Sequence, residues 1–277
     1  MTRRRSFGAV TLEVGLLGLG AVVAAPVALV LLNAFKSPTE FVGSTPWSIP
    51  AAWTLQNFSE VLGAGGLYVA MARSLLVIVF LLITQLPLSL LAAYAFALGE
   101  FRGRRALYAA TVASLAIPVV ALVLPLYLLA AAAGIRETFW GLVIPWSLGS
   151  AFAVVLLREH FGSIPREQID AARLDGAREI QVLTRIAIPQ SLPVLAVVAI
   201  VTVVTHWNAY LWPQIIAGTR WPVAAVATAA LQGQYATRWT VILAGCAVMI
   251  MPVLVLFARI QRSWSMLVVS PEGGATL

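Results

Sequence analysis

Apolar residues in this chain come in long unbroken blocks rather than alternating with polar ones or recurring on one helical face. The blocks lie at about 8–32, 71–97, 107–131, 140–158, 191–213 and 239–260, each near the roughly 20 residues an α-helix needs to cross hydrocarbon. A helix that is apolar all round still satisfies its own backbone hydrogen bonds, so the pattern predicts an all-α, polytopic membrane protein with six transmembrane helices. One leading block could be a signal peptide or an anchor. Their recurrence to the end of the chain makes the membrane-embedded part the body of the protein.

Composition agrees: of 277 residues, 61% are hydrophobic and 10% charged, far from the balance of a soluble domain. The basic residues fall between blocks, and unevenly. Alternate connections hold Arg3, Arg4 and Arg5, then Arg102, Arg104 and Arg105, then Arg158, Arg166, Arg173, Arg178 and Arg185, then Arg259 and Arg262, making 13. The opposite connections hold only 5, Lys36, Arg73, Arg136, Arg220 and Arg238. By the positive-inside rule, both termini are expected in the cytoplasm. The formal charge of +7 is thus read as orientation, with no nucleic-acid partner expected. Trp47, Trp53, Trp140, Trp212, Trp221 and Trp239 lie in or beside the outer segments, where amphipathic rings favour the interface. The single cysteine, Cys246, and two distant histidines, His160 and His206, predict neither a disulfide framework nor a metal site. No internal repeat or linker divides the chain, so residues 1–277 are read as one membrane domain.

The inner segment at about 159–190 carries the most specific pattern. Ser163 to Ala177 reads as a short helix that Ser163 can cap, with Pro165 in its first turn and Gly176 ending it in the left-handed conformation. A second short helix is expected from about Arg178 toward Ile188. Asp170-Ala171-Ala172, three residues, Gly176, nine residues and Ile186-Ala-Ile-Pro189 resemble the EAA motif of ATP-binding-cassette importer permeases, with Asp in place of Glu. Further similarity to MalG-type subunits of carbohydrate importers lies in Ala92–Phe96 followed by Phe101–Arg105, Ile117-Pro118, Leu124–Leu128, Trp207–Pro213 and Gly233-Gln234. Two departures stand out: Arg73, where such permeases often carry Asn, and a tail, Ser265–Ala275, without the usual ending.

The resemblance implies a coupling helix that sits in a cleft of a cytoplasmic ATPase, with Glu167, Asp170, Ala171, Ala172, Asp175, Gly176 and Ala177 as its contact residues. Small side chains there allow close approach, and the charged ones offer rim contacts. The expected assembly has a second, MalF-like permease subunit, an ATP-binding-cassette ATPase dimer and an extracytoplasmic solute-binding protein in a bacterial cell membrane. The only lysine is in Ala34-Phe-Lys-Ser37, without the glycines of a phosphate-cradling loop. ATP and magnesium are therefore expected on the partner ATPase, with no cofactor and no catalytic residue in this chain.

The expected cargo is a sugar, with a polyol or a glycerol phosphate as the alternative. Polar residues inside spans face either a wet pathway or a neighbouring helix. Gln85, Tyr127, Asn208 and Tyr210 are the candidates for the solute path, with Thr84, Ser89, Thr202, Thr205 and His206 beside them. An ion-coupled carrier would favour intramembrane carboxylates, and the spans carry essentially none beyond Glu13. A membrane enzyme would need a convergent acid, base or nucleophile, and none is visible.

Overall fold

In a computed structural model of the chain, residues 7–63 and 66–268 are described. Arg3, Arg4, Arg5 and the tail beyond residue 268 lie outside them. In order, the helices are α1 (Phe7–Ala34), α2 (Pro38–Gly43), α3 (Gln56–Leu62), α4 (Leu67–Leu98), α5 (Arg104–Ser114), α6 (Val119–Ala132), α7 (Phe139–Ser147) and α8 (Ala151–Gly162). There follow α9 (Arg166–Leu174), α10 (Glu179–Val182), a wider π-type turn at Leu183–Ala187, α11 (Ile188–Gln190), α12 (Leu192–Trp207), α13 (Leu211–Ile216), α14 (Ala224–Gln234) and α15 (Trp239–Val268). No strand occurs among the described residues, and the chain is all-α and polytopic.

Four stretches are long and apolar enough to cross a membrane: Thr11–Ala34, Leu67–Leu98, Phe139–Gly162 and Trp239–Arg259. The expected third and fifth spans are bent instead, α5 to α6 by 100° and Glu179–Gln190 to α12 by 77°, giving six only if each bent pair is one span. Pro118 explains the first bend. It stands at the N-cap of α6 in extended conformation, lacks a backbone N–H, and pushes Ile117 away from helical geometry. Pro87, Pro125 and Pro145, by contrast, lie inside continuous helices.

The described residues fall into two compact units, one drawn from Met1–Tyr68 and Ala227–Leu277, the other from Val69–Val226. In the first, α15 packs against α1, α2 and α3. Lys36, counted from sequence among the outer charges, is fully buried. Its Nζ donates to Ser44 Oγ (3.2 Å), Thr45 O (3.0 Å) and Ser48 Oγ (2.9 Å), which closes the loop after α1. Asn57 joins that loop to α15: its amide donates to Ala34 O and Lys36 O, both at 2.8 Å, and accepts from the Thr240 hydroxyl at 3.1 Å. Arg238 and Glu60 form a two-pronged ion pair beside it, Nη2 to Oε2 at 2.7 Å.

The second unit has two apolar cores. One contains Val77, Leu81, Leu142, Val143, Trp212 and Ile216 from α4, α7 and α13. The other contains Leu90, Ala93, Leu157, Phe161, Ile169, Val182 and Val198 from α4, α8, α9, α10 and α12. Trp212, expected at the membrane interface, is buried, and its indole N–H donates to Gly141 O at 3.2 Å. Arg73 stacks over Trp221 at 5.0 Å, which gives the departure at that position a local role.

Burial of the Asn57 amide makes its loss expensive, because Ala34 O, Lys36 O and the Thr240 hydroxyl would lose their partner. Asn57→Ala is expected to cost about 2–4 kcal/mol and to lower the unfolding midpoint of the purified chain. Ser59→Ala, which removes an exposed bond to Gln56 O, should change it little. Equal midpoints for the two variants would remove this role from Asn57.

Candidate functional site

The segment between α8 and α12 is built as a folded platform. Ser163 does not cap α9; it ends α8, its hydroxyl donating to His160 O at 2.7 Å. The N-cap of α9 is Pro165, which has no capping side chain. The other end follows the sequence closely. Ala177 N–H donates to Ala172 O, and Gly176 N–H to Arg173 O, both at 3.0 Å. With Gly176 at φ +83°, these two bonds make a Schellman turn. An added Cβ on Gly176 would meet nothing within 4 Å, so backbone conformation, not space, selects glycine there.

Ile169 is 2% exposed and sits in the core shared by α4, α8, α9, α10 and α12, with Ala172 and Ala177 packed beside it. A polar chain fixes the orientation of α9. Arg173 Nε donates to Glu179 Oε1 at 2.9 Å, the Tyr94 hydroxyl donates to Glu179 Oε2 at 2.8 Å, and Gln190 donates to Gln168 Oε1 at 3.0 Å. At the start of α10, Gln181 Oε1 accepts from Arg178 N–H at 2.8 Å.

Of the contact residues expected from sequence, Glu167, Asp170, Ala171, Asp175 and Gly176 are exposed, whereas Ala172 and Ala177 are half-buried. Asp170 lies 3.6 Å from Arg173. Sequence reading missed two residues on this platform: Leu174, 89% exposed, and Ile180, 58% exposed. Their signal was available, since Leu174 is out of helical phase with the buried Ile169 and therefore belongs to the opposite face.

The solute candidates divide. A cavity of about 430 Å³ is lined by Gln85, Trp146, Phe152, Thr202, Thr205, His206 and Tyr210, among others, and none of its lining residues is charged. Gln85 is committed: its Nε2 donates to Trp146 O at 3.0 Å and its Oε1 accepts from Thr202 at 3.3 Å. One turn on, Ser89 Oγ accepts from Ser150 N–H at 2.9 Å. These two side chains of α4 satisfy backbone groups freed by the break between α7 and α8. Tyr210 lines the cavity with no side-chain hydrogen bond among the described residues. Asn208 and Tyr127 are outside the lining. Asn208 caps α12, its amide donating to Val204 O at 2.8 Å, and the Tyr127 ring lies 4.8 Å under the Arg136 guanidinium. No group of three or more His, Cys, Asp or Glu among the described residues could hold a metal ion.

Comparison with known proteins gives this geometry a context. The chain is 28% identical over 255 residues, 91% of each chain, to the arabinooligosaccharides transport system permease protein AraQ of Halalkalibacterium halodurans. It is 29% identical over 245 residues, 87% of this chain and 81% of the other, to the diacetylchitobiose uptake system permease protein NgcG of Streptomyces coelicolor. Its fold matches a chain in the crystal structure of a bacterial ABC transporter involved in the import of the acidic polysaccharide alginate, with a TM-score of 0.80, 22% identity and coverage of 95% and 98% of the two chains. The family model that matches residues 85–264 spans the platform and all of the cavity's lining but Ser74 and Val77, and the chain belongs to that family, the inner membrane components of binding-protein-dependent transport systems.

Proposed function

We propose that this chain is the permease subunit of an ATP-driven importer and that the platform around α9 is its coupling element. The observation that carries the reading is the two-sided build of α9. Ile169 is locked into the ends of the spans, while Leu174 and Ile180 stand out toward solvent beside Glu167, Asp170, Ala171, Asp175 and Gly176. Exposed apolar side chains rimmed by charge are the chemistry of a protein contact. The partner is a cytoplasmic ATPase dimer, which binds ATP and magnesium and hydrolyses the ATP. Its closure moves α9, and α9 moves α4, α8 and α12. Residues 1–277 act as one membrane domain of six spans, with both termini in the cytoplasm of a bacterial cell. A second, MalF-like permease subunit completes the pathway, and an extracytoplasmic binding protein delivers the solute.

The cargo is a sugar, as the names of the similar permeases suggest. The cavity supports a neutral one: its walls combine aromatic faces with hydroxyl and amide groups and carry no charge. Of Gln85, Tyr127, Asn208 and Tyr210, Tyr210 is the one that lines the cavity with a hydroxyl unbonded among the described residues. His206 and Thr205 share its wall.

Gly176→Val places a β-branched residue at φ +83°, at a strain of about 1–3 kcal/mol, whereas Gly176→Asn tolerates the conformation. In the purified complex in lipid, Val is expected to abolish most of the ATP hydrolysis stimulated by loaded binding protein and Asn to keep most of it. Full stimulation with Val would contradict coupling through this turn. Tyr210→Ala should raise the KM for uptake roughly tenfold, the worth of one hydrogen bond, with assembly unchanged. Unaltered kinetics for every sugar tested would return Tyr210 to a packing role.

A further inference from the structure

A second cleft, of about 640 Å³, opens beside α9. Its walls come from the end of α4 (Ala97, Leu98), the link to α5 (Glu100, Phe101, Gly103), the start of α5 (Arg104, Arg105) and α9 (Arg166, Asp170, Arg173). A neighbouring hollow shares Ala97, Arg104 and Arg166 with it and adds Arg158. Five arginines thus line two adjoining hollows, which together form a depression.

Their charge is only partly answered. Arg173 is paired with Glu179 and Asp170, and Arg158 with Glu159. Arg104 donates to the neutral carbonyl of Gly99 at 2.5 Å. Arg105 and Arg166 have no ion-pair or hydrogen-bond partner among the described residues, and Arg158 Nε is buried without one. Glu100 is the lining carboxylate with no ion pair among the described residues. The N-terminus of α5 adds to the positive field: its N-cap Gly103 takes φ +85°, no side chain caps it, and its first turn has no acid.

The depression also lies at the polar end of apolar elements. It sits where the long span α4 finishes, and Phe101 (42% exposed) and Leu107 (55% exposed) present apolar surface beside the arginines. A cationic hollow bordered by exposed apolar surface matches an amphiphile rather than a freely soluble anion. The geometry points to a binding site for the phosphate of an anionic phospholipid of the inner leaflet, with its acyl chains along α5. A lipid bound there would touch α9, the helix that also carries Leu174, so the site would make coupling responsive to lipid charge.

The inference goes beyond the permease reading, and its test does not need transport. The full chain, purified in mild detergent, is equilibrated with mixtures of phosphatidylglycerol and phosphatidylcholine, and retained lipid is counted by native mass spectrometry. Preferential retention of phosphatidylglycerol is expected. The exposed-arginine double variant Arg105→Gln/Arg166→Gln should weaken it roughly thirtyfold, taking about 1 kcal/mol per interfacial arginine, with helicity and melting unchanged. Millimolar inorganic phosphate or glycerol phosphate should compete poorly. Equal retention of the two lipids, equal retention by the variant, or complete displacement by inorganic phosphate would each overturn a lipid site. So would loss of the co-purifying ATPase in the variant with lipid retention intact, because the arginines would then serve a protein contact. A chain that retained the lipid but transported no sugar would count against the proposed function alone.

Discussion

The burial of Ile169 governs the platform, because it takes one side chain of a short, otherwise polar helix into the core that also holds Leu90, Leu157, Phe161, Val182 and Val198. A close-packed core deforms little, so displacement of α9 is passed to α4, α8 and α12 rather than absorbed. The Tyr94–Glu179–Arg173 hydrogen bonds then set which face of α9 is left outside. Leu174 is exposed as a consequence of Ile169 being buried. The Schellman turn at Gly176 adds a firm end, pairing the carbonyls of Ala171, Ala172 and Arg173 as the chain reverses toward α10.

The same economy of backbone groups shapes the interior of the second unit. The break between α7 and α8 would leave a carbonyl and an N–H unsatisfied in an apolar surrounding, a cost of several kcal/mol each. Gln85 and Ser89, four residues apart on α4, meet Trp146 O and Ser150 N–H. Polar side chains in the span thus hold a broken helix open, and the uncharged cavity lies beside that break. Under the proposed function, recognition of solute falls to cavity residues whose hydrogen bonds are not already used, and Tyr210 is one of them.

Much of this was legible in the sequence. Apolar block length located the four stretches long enough to cross a membrane and the two bent pairs, because hydrocarbon thickness leaves little choice, and Gly176 announced its own turn because few other residues take that conformation. Four things were not legible. In sequence Pro118, where the chain bends by 100°, looks like Pro87 and Pro125, which lie inside continuous helices, and tertiary packing decides between them. Ser163 is a good capping residue for either neighbouring helix, and its position relative to α8 decided its role. Asn208 and Gln85 are both solute-path candidates from sequence, and nothing in the sequence shows that their amides bond Val204 O and Trp146 O. Lys36 was counted among the outer charges, and its burial was not legible because its three oxygen partners, on Ser44, Thr45 and Ser48, carry no charge pattern to betray them.

The relay through α9 is tested most directly by a photoreactive residue at Leu174 in the assembled complex in lipid. Illumination should give a covalent adduct with the ATPase subunit, and the same probe at the buried Ile169 should stay within the permease chain. Adducts from Leu174 with lipid only, or with no ATPase at any nucleotide state, would contradict the assignment of this face as the coupling surface.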